Sequence, residues 1–149
     1  MVLWVKMNNN EPAKVLPYDI WWGCEVLVRV CADLKPGEKV LIMSDQNSRK
    51  IGEAIAQAAR RTTSLVTHCV IPGFTMHGQE PPKDVADEMV ESAVVFGVTK
   101  MSMAHSQARF RASQAGMRYL SLPDYSIDVL ASPALRADFR ALTSFSNRL

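Results

Sequence analysis

Four short, nearly continuous apolar runs, each bounded by turn residues, restrict this chain to few architectures. They are Lys39–Ser44, Ser64–Ile71, Ser92–Thr99 and Met117–Leu122. A strand covered on both faces reads this way, because neither face has to meet water. Between the runs lie segments with helical spacing. After Asp45-Gln46-Asn47-Ser48 a helix to about Arg60 turns Ile51, Ala54, Ile55 and Ala58 inward. A helix over Lys83–Glu91 turns Val85, Met89 and Val90 inward, and one from about Ala104 to Ala115 stops at Gly116, a residue suited to a left-handed helix end. Strands alternating with helical crossovers pair in parallel through right-handed connections. The predicted fold is therefore α/β: an open, mostly parallel four-stranded sheet with helices on both faces, in Rossmann-like or flavodoxin-like layering.

The flanks are less regular. Residues 1–16, with Asn8–Asn10 and Pro12, read as a loose leader. The spacing Ile20, Cys24, Leu27, Cys31, Leu34 predicts a helix over Tyr18–Leu34 with these residues on its buried face. Lys35-Pro36-Gly37-Glu38 ends it, since Pro cannot continue a helix and Gly frees the turn. Pro133 opens a last helix with Leu135, Phe139, Leu142 and Leu149 on one side. That pattern is still in phase at Leu149 without a stop signal, so the reading expects residues 17–149 to be the N-terminal domain of a longer protein.

Composition narrows the functional classes. A chain of 149 residues amounts to one domain, and its 48% hydrophobic and 21% charged content is that of a globular protein. The net charge of +2 is spread thinly, with only Arg49-Lys50 and Arg60-Arg61 as adjacent basic pairs. A nucleic-acid binder needs a concentrated basic stripe, so no nucleic-acid partner is expected. The three cysteines lack any CxxC pairing and read as reduced, core-type residues. No stretch approaches the ~20 apolar residues of a membrane span. A cytoplasmic protein without membrane contact is expected.

Gly73-Phe-Thr-Met-His-Gly78 has the spacing of a phosphate loop, but Gln79 and Glu80 stand where that motif needs Lys and Ser/Thr. Neither a GxGxxG fingerprint nor an HExxH or paired Cys/His spacing is present. His68 falls inside a strand and reads as a packed or hydrogen-bonded core residue, whereas His77 falls in a polar loop. The segment after the third run is the most informative. Ligands of open α/β sheets bind where loops leave the strand carboxyl ends, and Ser102, His105, Ser106 and Arg109 cluster there. These residues either face a ligand or cap and decorate a helix, with Ser102 as the cap. Asp45 and Asn47 hold the equivalent place after the first run, where capping is the simpler role.

Read in order, Lys35-Pro-Gly-Glu-Lys-Val-Leu-Ile42, Ile51-Gly-Glu-Ala54, His77-Gly-Gln-Glu-Pro-Pro82, Ser102-Met-Ala-His-Ser-Gln-Ala-Arg109 and Ala115-Gly-Met-Arg118 form a series. It resembles the N-terminal domain of the metal-dependent aminopeptidases of the aminopeptidase T/S type, the M29 peptidases, over roughly Leu27–Leu149. The architecture is also similar to that of 2,5-dihydroxypyridine 5,6-dioxygenase, an iron enzyme. The resemblance implies a homodimeric or larger enzyme that removes N-terminal amino acids from peptides. Its Zn, Co or Mn ions, or Fe for ring cleavage, sit in a C-terminal domain that this chain does not contain. It therefore implies no catalytic or metal-binding residue here and an inert isolated chain. His105, Ser106, Arg109, Ser102 and His77 become cleft-facing residues toward a peptide or small-molecule substrate. A self-contained, non-catalytic binding or oligomerisation module is the alternative of a different class. Arg60–Ser64 departs from the family pattern, in which Gly often precedes the second strand.

Overall fold

A computed structural model describes residues 1–5, 16–138, 141, 144 and 146. Its elements, in order, are β1 (Leu3–Val5), α1 (Tyr18–Glu25), β2 (Val40–Ser44), α2 (Arg49–Ala59), β3 (Val66–Val70), α3 (Lys83–Glu91), β4 (Val94–Val98), α4 (Gln107–Gln114), β5 (Arg118–Ser121) and α5 (Ile127–Leu130). All four expected strands are present, and β2, β3, β4 and β5 pair in parallel in the order β3-β2-β4-β5. This is the doubly wound, flavodoxin-like order. The fifth strand was not legible in the sequence: Leu3–Val5, inside the expected loose leader, pairs antiparallel with β3, Leu3 opposite Val70 and Val5 opposite His68. It is a three-residue edge strand with exposed Leu3 and Trp4, too short to leave a pattern.

Alternate strand residues feed two cores, as the period-two geometry of a strand requires. Val40, Ile42, Val94, Phe96 and Val98 pack under α1, α2 and Leu130 of α5. Leu41, Met43, Cys69 and Val95 pack under Val85 and Met89 of α3 and Ala108 and Ala112 of α4. The inward residues expected for α2 are all buried; Val90 of α3 is exposed. Gly116 ends the α4 turn at φ +98°, the left-handed conformation expected of it.

The first helix departs from expectation in its second half. It is α-helical to Glu25 and π-helical over Val26–Cys31, with the Ala32 N–H donating to the Leu27 carbonyl. The widened i→i+5 turn rotates the following residues relative to an α-helix. Cys24, Leu27 and Leu34 remain buried, but Cys31 is swung to the surface, and Val28 and Ala32 enter the core. Pro133–Arg136 forms a 3₁₀ turn with Leu135 buried, and Ala137 after it is extended. The expected continuation through Phe139, Leu142 and Leu149 lies outside the described residues.

One contact inside the first core fixes how closely helix and sheet approach. His68 on β3 is fully buried, its Nε2 lies 2.8 Å from Ser44 Oγ, and its Nδ1 has no partner among the described residues. A Cβ on Gly52 of α2 would stand 2.6 Å from that Nε2, so glycine lets the helix lie down on the ring. Burial pulls the imidazole pKa down to about 4 from 6.5; Glu53 opposes this, and Arg49 and Arg60 reinforce it. The unfolded chain thus takes up a proton near pH 6.5 that the folded chain refuses until about 4. The resulting stability is whole above 6.5 and is lost as the pH falls toward 4. Urea unfolding at pH 7 and pH 4.5 should show the wild type losing roughly 2 kcal/mol more than His68→Gln over that interval. Equal losses in the two proteins would remove the buried, neutral histidine from the account.

Candidate functional site at the carboxyl edge of the sheet

The chain leaves β2 toward β3 on one side and returns to β4 on the other, so the carboxyl ends of β2 and β4 flank the topological switch point. Asp45 closes this point. It is 2% exposed, and its Oδ1 accepts from Asn47 N, Ser48 N and Ser48 Oγ, each at 3.0 Å. Its Oδ2 accepts from Lys100 N at 2.7 Å, across from the β4–α4 loop. The single Ser48 hydroxyl proton is shared between Asp45 Oδ1 and the Val98 carbonyl. Asp45 therefore closes the turn before α2 and ties it to the β4–α4 loop rather than capping the helix, whose N-cap position is Ser48, without a side-chain cap bond.

Above this knot lies a crevice of about 440 Å³ between the β2–α2, β4–α4 and β5–α5 turns. Asn47, Lys50, Lys100, Asp124 and Ser126 supply its polar lining, and Ile51, Tyr125 and Ile127 its apolar part. The sequence pointed to Asp45 and Asn47 here, but not to Lys50, Lys100, Asp124 or Ser126. Lys50 and Lys100 belong to no motif, and Asp124 is distinguished only by its backbone, at φ +54°.

The residues singled out from the sequence lie on the opposite flank, around the start of α4. His77 and Ser102 are brought together: His77 Nδ1 accepts from Ser102 N at 3.0 Å, and Gly78 N donates to the Ser102 carbonyl at 2.8 Å. Ser102 Oγ lies 2.9 Å from Ser121 Oγ at the end of β5. Ser102 is not the helix cap. That role falls to Ser106, which is 1% exposed and accepts from Arg109 N at 3.2 Å, so its hydroxyl is turned into the helix start. Arg109 Nε donates to the Ala104 carbonyl, and His105 is exposed.

The remaining free amides of this helix start are also taken. Glu80, from the His77–Pro82 segment, accepts from Gln107 N at 2.5 Å and from Ala108 N at 3.0 Å. A helix start draws anions to its unpaired N–H groups and partial positive charge; here the protein's own carboxylate supplies the anion. Nearby, Tyr119 on β5 lays its ring over Gly97 of β4. Burial pushes its hydroxyl up to about 12, against smaller opposing effects of Ser121 and Arg109.

Fold and site define a doubly wound α/β domain with a mixed polar and apolar crevice at its switch point. Comparison with known family models, curated proteins and solved structures finds no match. Among the described residues no group of three or more His, Cys, Asp or Glu converges as a metal site would, and no helix is long and apolar enough to cross a membrane. Glu80→Ala should unsatisfy Gln107 N and Ala108 N, lowering stability by about 1 kcal/mol. Amide exchange at those two positions should accelerate while β2 stays protected. Unaltered exchange at both would show that Glu80 does not hold the helix start.

Proposed function

We propose that this chain is the N-terminal, cleft-walling domain of a metal-dependent aminopeptidase that removes N-terminal residues from peptides. What supports the reading is that four of the segments carrying the family resemblance interlock in two pairs. At the carboxyl edge, His77–Pro82 and Ser102–Arg109 join through the His77–Ser102 bond and the Glu80 cap on α4. At the opposite edge, Lys35–Glu38 joins Ala115–Arg118. Arg118 grips the Glu38 carboxylate with both terminal nitrogens, at 3.1 and 2.5 Å, and donates through Nε to the Ala32 carbonyl. The Arg118 hydrogen bond, ahead of the backbone bond from Lys35, holds the Glu38 carboxyl below its usual range.

In this reading the chain's own residues wall and orient the cleft, with His77, Ser102, His105 and Arg109 around the start of α4. A C-terminal domain beyond Leu149 carries a divalent metal pair, which polarises the scissile carbonyl and supplies hydroxide. The enzyme works in the cytoplasm as a homodimer or larger homo-oligomer, where thiols such as the buried Cys24 and Cys69 stay reduced.

The test is hydrolysis of leucyl-para-nitroanilide by the full-length gene product, with Co²⁺, Zn²⁺ or Mn²⁺ and after chelation. Metal-dependent release of para-nitroaniline is expected, with none from the 149-residue chain alone. Absence of turnover with every metal overturns the peptidase reading, as does oxygen uptake on 2,5-dihydroxypyridine with Fe²⁺, which would mark a ring-cleaving dioxygenase. A native gene product of 16.6 kDa would leave a binding or oligomerisation module.

A further inference from the structure

The crevice at the switch point is lined by charged side chains that the fold does not use. Asp45, at its base, spends its carboxylate on three hydrogen bonds within the turn and one from Lys100 N across the switch point. By contrast, Lys50, Lys100 and Asp124 are exposed to solvent at its rim, and their charged groups, like the hydroxyl of half-buried Tyr125, have no protein partner among the described residues. Two unspent cations and one unspent anion thus border one cavity of about 440 Å³, within the range of small-molecule sites. Ile51, Tyr125 and Ile127 give the same cavity an apolar wall, and Ile127 is 40% exposed. Charges of both signs beside an apolar wall suit a ligand that carries both signs and an apolar body. A dianion such as phosphate would find no use for the apolar wall and would meet Asp124. A neutral apolar compound would leave both lysines unanswered.

We propose that this crevice binds a small apolar α-amino acid as its zwitterion. The Lys50 and Lys100 ammonium groups take the ligand carboxylate, Asp124 takes its ammonium, and Ile51, Tyr125 and Ile127 cover its side chain. No bond is made or broken. The site is complete within this chain and requires neither a second domain nor a peptidase activity.

Titration of the 149-residue chain with L-leucine, followed by ¹H–¹⁵N NMR, tests the inference. Two probes each lack one charge: 4-methylpentanoate has no ammonium, and 3-methylbutylamine has no carboxylate. Leucine should give saturable shifts at the amides of Asn47, Lys50, Lys100 and 124–127, with both probes at least tenfold weaker. Lys100→Met and Asp124→Asn should each weaken leucine about tenfold, the scale of one charge-assisted contact. Asparagine tolerates the left-handed backbone at position 124, and each variant's own spectrum reports its fold. Asp124→Asn should leave 4-methylpentanoate binding unchanged. No saturable shift at tens of millimolar leucine would overturn the proposal. So would shifts centred elsewhere, equal binding of 3-methylbutylamine, or inorganic phosphate binding more tightly than leucine.

Discussion

The architecture at the functional edge depends on one buried carboxylate. Asp45 leaves the carboxyl end of β2 at 2% exposure, in a position where an unpaired charge would be costly. It is sustained by hydrogen bonds from Asn47, Ser48 and, across the switch point, Lys100. The two loops that diverge from neighbouring strands are thereby held as one surface. The Lys100 amide is bonded directly to the turn that leads into α2, which brings Lys100 to the same crevice as Lys50 in the first turn of that helix.

The two edges of the sheet are fastened by different means. At the amino edge the bond is ionic: Arg118, just after α4, forks onto Glu38, just before β2. It is half-exposed and serves geometry more than stability, since exposed pairs contribute little. At the carboxyl edge the bonds are to backbone. Glu80 and Ser106 divide the N–H groups of α4 between them, leaving that helix start without room for an outside anion. The crevice with its exposed charges lies on the other flank, beside α2 and α5.

Much of the fold was legible because burial on both faces writes a continuous apolar run, as Val40–Met43 and Val94–Phe96 do. What escaped had a local physical cause. β1 is too short and too exposed to leave a pattern. The exposure of Cys31 follows from a π-helical turn that an α-helical period cannot anticipate. Of the candidate site, the loop positions were readable from the strand ends, but side-chain direction was not. Ser106 and Ser102 are alike in sequence, yet one is folded into a helix start and the other reaches across to β5. Lys50, Lys100 and Asp124 are ordinary surface residues until the turns bring them around one cavity.

The most direct measurement is native-state amide exchange of Asp45→Asn. The substitution keeps the shape but turns an amide N–H₂ toward donors that need an acceptor. The Lys100 amide should lose at least tenfold of its protection, and global stability should fall by about 2–4 kcal/mol. Cys69 and Val70 in β3 should stay protected. A Lys100 amide as protected as in the wild type, with stability changed by less than about 0.5 kcal/mol, would show that this carboxylate does not hold the switch point together.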